Sequence, residues 1–303
     1  MIRESKLQGY IERVNGVKKP ITADIFLTDY CNEKCAYCRY AHKTGKYMKF
    51  EDFIKCSERL IELGVQSFIL TGGGEPTINP DFEKITEYLE QRGIPYGVNT
   101  NMQVLRKCRP VFMKISIDTG DSERYKELRG VDGLTRTLKN IKEYCDYRNK
   151  ENIYTKVGVQ CVCIDKENVI SFYEVVKNLN IDYIYFRPYE GKESKVTAED
   201  VKEWLGERIN DKRINISYKF NHLKYRPNTC VAGWSVLCVN VDGDVLFCCH
   251  RPNEIIGSVF GSDILEKKAM YSVDMKLCET PCRLSGSNYW LEHRKEERDE
   301  VFV

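Results

Sequence analysis

Three cysteines, Cys31, Cys35 and Cys38, lie close together at the spacing C-x3-C-x2-C. This spacing lets three thiolates converge on one face of a cubane, and [4Fe–4S] clusters are held by cysteine ligands of this kind. The loop holds no fourth cysteine, so one iron would keep a position without a protein ligand. An open position invites a small chelating ligand, as it does in catalytic zinc sites.

A glycine-rich stretch further along the chain bears on the identity of the metal. On its own, the cysteine loop also fits a zinc site completed by His42, because zinc accepts three thiolates and one imidazole. In Gly72-Gly73-Gly74-Glu75-Pro76, the glycines let the backbone approach a ligand closely. Glu75 and neighbouring carbonyl oxygens suit an ammonium group, which has only donors. This stretch favours the iron–sulfur interpretation, and a tight turn without a ligand is its alternative.

Both motifs resemble those of a known family. The cysteine loop, with Tyr37 before its last cysteine, resembles the signature of radical S-adenosylmethionine (SAM) enzymes, and Thr71 to Pro76 resembles that family's second motif. The resemblance implies that SAM chelates the open iron of a [4Fe–4S] cluster through its amino and carboxylate groups. It also implies reductive cleavage of SAM to methionine and a 5′-deoxyadenosyl radical. The cofactor-binding residues that it implies are Tyr37, Gly72, Gly73, Gly74, Glu75, Asn101, Ser116, Asp118 and Arg129.

The last four of these positions lie outside the two motifs. Asn101, Ser116 and Asp118 lie at the ends of predicted strands, where relatives place polar groups near SAM. Arg129 suits a charge-assisted contact with the SAM carboxylate. Relatives commonly have Thr-Asn-Gly where this chain has Thr-Asn-Met, so Met102 departs from the pattern. Structural capping is the alternative role for each polar group.

A second group of cysteines lies near the C-terminus, between residues 230 and 282. The pattern Cys230-x12-Gly243-x4-Cys248, followed by Cys278-x3-Cys282, resembles the auxiliary-cluster region called SPASM or its shorter form, twitch. The resemblance implies one auxiliary [4Fe–4S] cluster, with a four-cysteine zinc ribbon as the alternative. Its expected ligands are Cys230, Cys248, Cys278 and Cys282. The two remaining cysteines, Cys238 and Cys249, are either hydrogen-atom donors to a substrate radical or packed thiols.

Strands that alternate with helices are expected to position these groups. The predicted strands span 21–28, 65–71, 96–101, 112–118, 153–164 and 183–187, and the predicted helices between them span 50–64, 80–92, 134–147 and 168–179. This alternation predicts a parallel sheet whose carboxyl ends collect the site residues. Pattern and resemblance together imply an α/β fold, a partial (β/α)6 TIM-like barrel with a small cysteine-rich α+β domain.

Three segments are expected from changes in composition. They are an N-terminal extension (1–20), the barrel (21–190), and a linker, helix and twitch/SPASM-like domain (191–303). In the last segment, Thr197 is a predicted N-cap of a helix reaching residue 210, and residues 241–244 carry Asp-Gly turn chemistry for a hairpin.

Composition narrows the functional classes. The chain has 47 basic and 45 acidic residues, so no strong field favours nucleic acid. No apolar run approaches the roughly 20 residues of a membrane span, and the apolar core of a signal peptide is missing, so a cytoplasmic location is expected. Disulfides are rare there, and the clustering among 14 cysteines favours metal binding.

The expected activity is hydrogen abstraction from a substrate carbon, leading to oxidation, epimerisation or crosslinking of a small molecule or short peptide. An electron donor such as flavodoxin or ferredoxin is the expected partner. A peptide maturase or epimerase that uses Cys238 or Cys249 is the alternative within the family. An iron–sulfur or zinc protein without radical chemistry belongs to another class, and the Gly72–Glu75 motif counts against it. An RNA-modifying radical enzyme is a third class, disfavoured by the neutral charge.

Overall fold

Ten β-strands form one sheet in the part of the chain that the computed structural model describes, namely residues 20–38, 40, 44–189, 195–222, 227–230, 233, 236–271, 273–278, 282, 284 and 288–289. The strands are β1 (Thr22–Phe26), β2 (Ser67–Thr71), β3 (Tyr96–Thr100), β4 (Phe112–Ser116), β5 (Lys156–Cys163), β6 (Tyr183–Pro188), β7 (Ile214–Ile216), β8 (Val236–Val239), β9 (Asp244–Leu246) and β10 (Ile255–Ser258). Their spatial order is β10-β9-β8-β1-β2-β3-β4-β5-β6-β7.

Seven α-helices connect or follow these strands within the same residues. They are α1 (Phe50–Glu62), α2 (Phe82–Gln91), α3 (Ser122–Arg129), α4 (Leu134–Lys150), α5 (Lys166–Val176), α6 (Ala198–Leu205) and α7 (Ile264–Met270). Short 3-10 helices cover Pro76–Ile78, Gly206–Asn210, Tyr218–His222 and Met275–Leu277. The predicted helix that begins after Thr197 is therefore α in its first part and 3-10 in its second.

Local sequence signals set several helix ends. Asp165 and Thr197 each begin a helix in a capping box, in which the N-cap and N3 side chains satisfy each other's backbone N–H groups. Asp121 caps α3 by accepting a hydrogen bond from the Arg124 backbone. Gly130 ends the same helix with a φ of +71°, a left-handed conformation that glycine adopts without steric cost.

The first seven strands are parallel to their neighbours, which confirms the predicted α/β class. Alternate residues face two different layers. On β1, Ala23 and Ile25 pack into the main core together with residues of the helices, such as Phe53 and Leu60. The opposite face, which we call the inner face, is more polar. Its side chains hydrogen-bond between neighbouring strands in the pairs Thr22–Ser67, Asn99–Thr71 and Gln160–Ser116.

The C-terminal strands continue this sheet. Strand β8 pairs in parallel with β1, with Asp24 opposite Cys238, and β9 and β10 follow antiparallel. The predicted hairpin is confirmed by the β8–β9 pairing, and Gly243 in its turn has a φ of +81°. The sheet is thus continuous from the barrel strands into the cysteine-rich region. The domain division near residue 190 stays a prediction.

None of the described helices is both long enough and apolar enough to cross a bilayer.

Candidate functional site

Four loops that follow neighbouring parallel strands meet at one edge of the sheet. The cysteine loop (residues 31–38) follows β1, the glycine loop (residues 72–75) follows β2, Asn101 follows β3, and Asp118 follows β4. Because the carboxyl ends of parallel strands share one edge, residues distant in sequence become neighbours there.

The cysteine loop is docked on the end of helix α3. The backbone N–H of Lys34 donates to the carbonyl of Arg129 at 2.8 Å, and that of Ala36 donates to the carbonyl of Leu128 at 3.0 Å. These carbonyls belong to the last turn of the helix, which has no intrahelical partners for them. A Cβ at Gly130 would lie 2.7 Å from the Lys34 carbonyl oxygen, so glycine also permits the close approach.

Polar N–H groups are directed at the sulfur atoms of the loop. The Sγ of Cys31 lies 3.4 Å from the backbone nitrogen of Glu33 and 4.0 Å from Nδ2 of Asn101. The Sγ of Cys35 lies 3.7 Å from Nη1 of Arg129. Burial raises the pKa of Cys35 to about 12, and the charge of Arg129 opposes that shift. None of the three cysteines forms a disulfide, and the donors aimed at the sulfurs of Cys31 and Cys35 are of the kind that thiolate ligands of a [4Fe–4S] cluster accept.

The glycine loop lies directly against the chain entering the cysteine loop. The backbone of Gly74 donates to the carbonyl of Thr28 at 3.0 Å, and that of Glu75 donates to the carbonyl of Tyr30 at 2.9 Å. A Cβ on Gly74 would lie 1.8 Å from the Tyr30 carbonyl oxygen, a distance no side chain can adopt. Glycine at position 74 therefore lets the two motifs share one pair of hydrogen bonds.

Glu75 is 3% exposed and its carboxylate accepts four hydrogen bonds. The donors are the backbone and hydroxyl of Thr77, the hydroxyl of Thr100 and the backbone of Asn101. Burial raises its pKa, and these hydrogen bonds oppose that effect. The carboxylate ties the end of β2 to the end of β3, and direct contact with the SAM ammonium stays a prediction for this residue.

Asn101 links the third strand to the cysteine loop. Its Nδ2 donates to Oδ1 of Asn32 at 2.7 Å. The next residue, Met102, is buried and has a φ of +59°. That left-handed conformation explains why relatives place glycine there, since other residues adopt it at a cost of roughly 1–2 kcal/mol.

Arg129 is the centre of a buried ionic network. Its Nη1 lies 3.1 Å from Oε2 of Glu33, and its Nη2 pairs with Oδ2 of Asp118. The hydroxyl of Tyr37 donates to the same Asp118 oxygen, and that of Tyr125 donates to Glu33 at 2.7 Å. This network joins three of the predicted residues. The carboxylates of Glu33 and Asp118 already neutralise the Arg129 guanidinium. Contact of Arg129 with the SAM carboxylate stays a prediction.

The pKa shifts in this network follow from burial and charge. Burial alone would lower the pKa of Arg129, but the charges of Asp118 and Glu33 outweigh it and the pKa lies above its usual value. Burial raises the pKa of Tyr37, and Asp118 raises it further, so this hydroxyl stays protonated and donates. Asp118 has a φ of +71° and its other oxygen accepts from the Val162 backbone at 2.8 Å. The network therefore fixes the cysteine loop to β4 and β5.

Ser116 lies apart from this network. It is the last residue of β4, on the inner face, and accepts a hydrogen bond from Nε2 of Gln160 at 2.6 Å. It is therefore placed for contact with a ligand on that face, and its predicted role stays a prediction.

The C-terminal cysteines lie in two separate packing groups. Cys230 and Cys248 are buried together with Phe247. Cys278 receives a contact from Nη1 of Arg251 at 3.7 Å, and its charge acts on the pKa of Cys230. Cys282 is half-buried. These contacts relate Cys230, Cys248 and Cys278, and the four-cysteine ligand set of an auxiliary cluster stays a prediction.

Cys238 and Cys249 pack on the other side, with Phe26 and Leu246. Neither is part of the apolar packing group of Cys230 and Cys248. The zinc alternative for the cysteine loop needs His42, which lies outside the described residues.

Several polar residues at the site escaped the sequence analysis. Asn32 and Glu33 lie between Cys31 and Cys35, and the cysteine spacing assigns no role to the residues between the cysteines. Lys268 is 3% exposed, and its Nζ donates to the Val236 carbonyl at 2.7 Å, beside the C-terminal cysteines. A lysine on a short helix gives no sign of burial in the sequence. Tyr189, which follows β6, packs edge-on against Tyr37.

Comparison with known proteins agrees with this geometry. A sequence model of the radical SAM superfamily matches residues 25–179. Molybdenum cofactor biosynthesis protein moc-5 of Caenorhabditis elegans is 27% identical over 88% of this chain, which spans 52% of that relative. A probable GTP 3′,8-cyclase of Saccharolobus islandicus is 25% identical, covering 83% of this chain and 88% of the relative. The chain therefore spans about half the length of the first relative and most of the second.

Solved structures share the fold. SuiB of Streptococcus suis, bound to the precursor peptide SuiA, superposes with a TM-score of 0.67 at 19% identity, covering 87% of this chain and 67% of SuiB. The protein anSMEcpe with bound AdoMet gives a TM-score of 0.62 at 16% identity, covering 91% of this chain and 98% of that chain. At these identities, the likeness shows the fold and no more.

Proposed function

Because the chain belongs to the radical SAM superfamily, we propose that it acts on a small molecule or short peptide held against the inner face of the sheet. A [4Fe–4S] cluster and SAM are the cofactors of this family. The proposed outcome is removal of a hydrogen atom from a substrate carbon, followed by oxidation of that carbon. The observation that carries the proposal is the contact between the loop that bears three cysteines outside any disulfide and the glycine loop, at the carboxyl edge of the sheet.

Cys31, Cys35 and Cys38 are the residues that would hold the cluster. When bound, the cluster supplies the electron that cleaves SAM to methionine and a 5′-deoxyadenosyl radical. The chain's contribution is to hold the ligands: Arg129 and Glu33 fix the middle of the loop, and Asn101 donates toward the Cys31 sulfur. Protein groups of this kind orient a cofactor and tune its electrostatics.

The glycine loop supports the proposed SAM site. Gly74 packs against the chain that enters the cysteine loop, and Glu75 ties the glycine loop to the end of β3. Asn101 and Ser116 supply side-chain polar groups at the next two strand ends. We assign these residues to SAM binding.

The inner face supports a polar substrate. Asn99, Ser116, Gln160 and Tyr185 present hydrogen-bonding groups there, from four consecutive strands. Two kinds of substrate are named among the similar proteins, a nucleotide for the probable GTP 3′,8-cyclase and a peptide for SuiB. Both are rich in polar groups, and either would be compatible with such a surface.

The proposed oxidation also requires an electron acceptor, and we assign this role to an auxiliary cluster held by Cys230, Cys248, Cys278 and Cys282. Its position is supported by the pairing of β8 with β1, which places the cysteine-rich region beside the strand that leads into the cysteine loop. An external donor of the flavodoxin or ferredoxin class would reduce the SAM-binding cluster. Epimerisation, with a hydrogen atom returned by Cys238 or Cys249, is the competing outcome and requires a free thiol at one of these positions.

The proposal is tested by anaerobic incubation of the reconstituted protein with SAM and dithionite. Release of 5′-deoxyadenosine by the wild type, and none by a Cys31→Ala/Cys35→Ala/Cys38→Ala variant, is the expected result. A wild type that binds iron but releases no 5′-deoxyadenosine would favour an iron–sulfur protein without radical chemistry. Substrate candidates are then ranked by how much they increase 5′-deoxyadenosine release over the uncoupled rate.

A further inference from the structure

We propose that Asp24, Cys238 and Cys249 bind one thiophilic divalent cation, such as Zn²⁺, at a site separate from both predicted cluster sites. One ligand atom from each residue lies within 4.8 Å of the other two. The sequence analysis left the two cysteines without a metal role, and Asp24 was not singled out. The fold brings the three together from β1, from β8 and from the turn that follows β9.

Strand register places the first two ligands side by side. Asp24 and Cys238 are direct partners across the parallel β1–β8 pair, and their side chains project from the same face. The Sγ of Cys238 lies 3.8 Å from Oδ2 of Asp24. Cys249 completes the group from the turn that follows β9. The backbone carbonyl of Cys249 accepts a hydrogen bond from the hydroxyl of Tyr40. The group is therefore positioned by two strands and a side-chain anchor.

The chain separates the two adjacent cysteines, Cys248 and Cys249. Cys248 packs with Cys230 and Phe247, within the predicted auxiliary-cluster group. Cys249 points to the other side and packs with Cys238. The two adjacent cysteines therefore belong to different packing groups, and Cys249 joins Cys238 near the carboxylate of Asp24.

Burial makes a cation at this site favourable. Asp24 is 2% exposed, Cys238 3% and Cys249 7%. A carboxylate removed from water loses a large hydration energy unless it is paired or coordinates a metal. A divalent cation bound by the two thiolates and the carboxylate would be such a partner.

The donor set and charge indicate the class of metal. Cysteine and aspartate are established zinc ligands, and three protein ligands leave a fourth position for water or substrate. A small cavity borders Cys238 and Cys249 and is also lined by Cys248 and Phe247. Two thiolates, one carboxylate and Zn²⁺ leave one negative charge. Burial lowers the pKa of the nearby Lys268, and the charges of Cys238 and Asp24 oppose that effect.

The test uses the full chain with its iron–sulfur clusters reconstituted, so that zinc cannot occupy empty cluster sites. Protein is incubated anaerobically with Zn²⁺, desalted, and analysed for zinc and iron by mass spectrometry. The wild type should retain one zinc per chain. Cys238→Ala, Cys249→Ala and Asp24→Asn should each weaken zinc binding by roughly tenfold or more at unchanged iron content. Cys56→Ala, which removes a buried thiol from α1, is the matched control and should bind zinc like the wild type.

A second measurement uses only the wild-type protein, so its result does not depend on whether a substituted protein folds. Zn²⁺ should protect Cys238 and Cys249 from alkylation in the cluster-loaded protein, as located by peptide mass mapping. Alkylation of both cysteines at the same rate with and without Zn²⁺, together with no retained zinc, would overturn the proposed site. Both thiols would then be free, as hydrogen return to a substrate radical requires. The outcome is independent of SAM cleavage, so it is distinguishable from failure of the proposed function.

Discussion

The two cysteine groups differ in how they are assembled. Cys31, Cys35 and Cys38 lie on one short loop, held by backbone and side-chain hydrogen bonds from α3 and the neighbouring strand ends. The C-terminal group (Cys230, Cys248, Cys278 and Cys282) extends over a long stretch of chain, and Cys230 and Cys248 of this group pack with Phe247. The cysteines of the first group are thus close in sequence, and hydrogen bonds from neighbouring elements fix their loop. The cysteines of the second group come together only when distant segments of the chain have folded. A metal bound by the second group should therefore contribute more to its folding.

The largest expected effect comes from removing the loop group. A Cys31→Ala/Cys35→Ala/Cys38→Ala variant should lose about four irons per chain and all 5′-deoxyadenosine release, while the C-terminal iron remains. The two groups share no ligand, which is the physical reason for expecting independence. Iron and sulfide analysis of the anaerobically reconstituted variant checks the prediction, and complete loss of iron would contradict it.

Removal of cysteines from the C-terminal group should lower the iron content without abolishing SAM cleavage. Cys230→Ala/Cys248→Ala should also lose about four irons, yet keep SAM cleavage. Local unfolding of the described residues beyond β8 should accompany the loss, and hydrogen exchange of β9 and β10 would report it. Cys145→Ala, a buried thiol in α4, serves as the control and should change neither quantity. Equal loss of SAM cleavage in both cysteine variants would end the distinction between the groups.

Gly74→Ala should disrupt the loop group without removing a ligand. The added Cβ would overlap the Tyr30 carbonyl and displace the chain that enters the cysteine loop. Displacement by about 1 Å can reduce a rate by about 100-fold, and a loss of that order in SAM cleavage is expected. Gly93→Ala is the matched control, because nothing lies within 4 Å of its Cβ and only its φ of +63° opposes the substitution. It should lower thermal stability slightly and leave SAM cleavage unchanged.

Arg129→Met should destabilise the fold by about 3–5 kcal/mol, because Glu33 and Asp118 would stay buried without their cationic partner. Urea denaturation measures this free energy. Arg124→Met removes a half-exposed arginine from the same helix, and its ion pairs should be worth less than about 1 kcal/mol. If both variants lost the same stability, the network would be no more important than a surface ion pair.

The smallest effect is expected at a surface contact between the two regions. Lys46 pairs with Asp242 at 2.8 Å, and both side chains are about half exposed. Lys46→Ala should cost less than about 1 kcal/mol in unfolding free energy and leave iron content unchanged. A large change in either quantity would mean that this contact, and not the β1–β8 pairing, joins the regions.

Much of the barrel could be predicted because its determinants are local. Alternation in strands and helical periodicity located the first six strands within a few residues, and the cysteine and glycine motifs follow β1 and β2 as predicted. Helix α3 escaped prediction because Ser122–Arg129 is polar and buries few side chains. Strand β7 is only three residues long. Neither carries enough periodicity to be recognised.

The contacts at the site were less predictable, because they depend on pairing between distant segments. Nothing local in residues 236–239 indicates that they pair with β1 and place Cys238 opposite Asp24. Glu75 is a suitable ammonium acceptor by its chemistry, but its partners Thr100 and Asn101 come from another strand. Met102 departed from the family pattern, and the positive φ gives the physical basis of that pattern.

The central claim is that SAM binds at the loop group and not at the C-terminal group. Electron paramagnetic resonance of the dithionite-reduced protein, recorded before and after addition of SAM, tests it most directly in the Cys230→Ala/Cys248→Ala variant. That variant retains the loop group alone, and SAM should change the g values and line shape of its signal. A signal that SAM leaves unchanged in this variant, but alters in the variant lacking Cys31, Cys35 and Cys38, would contradict the claim.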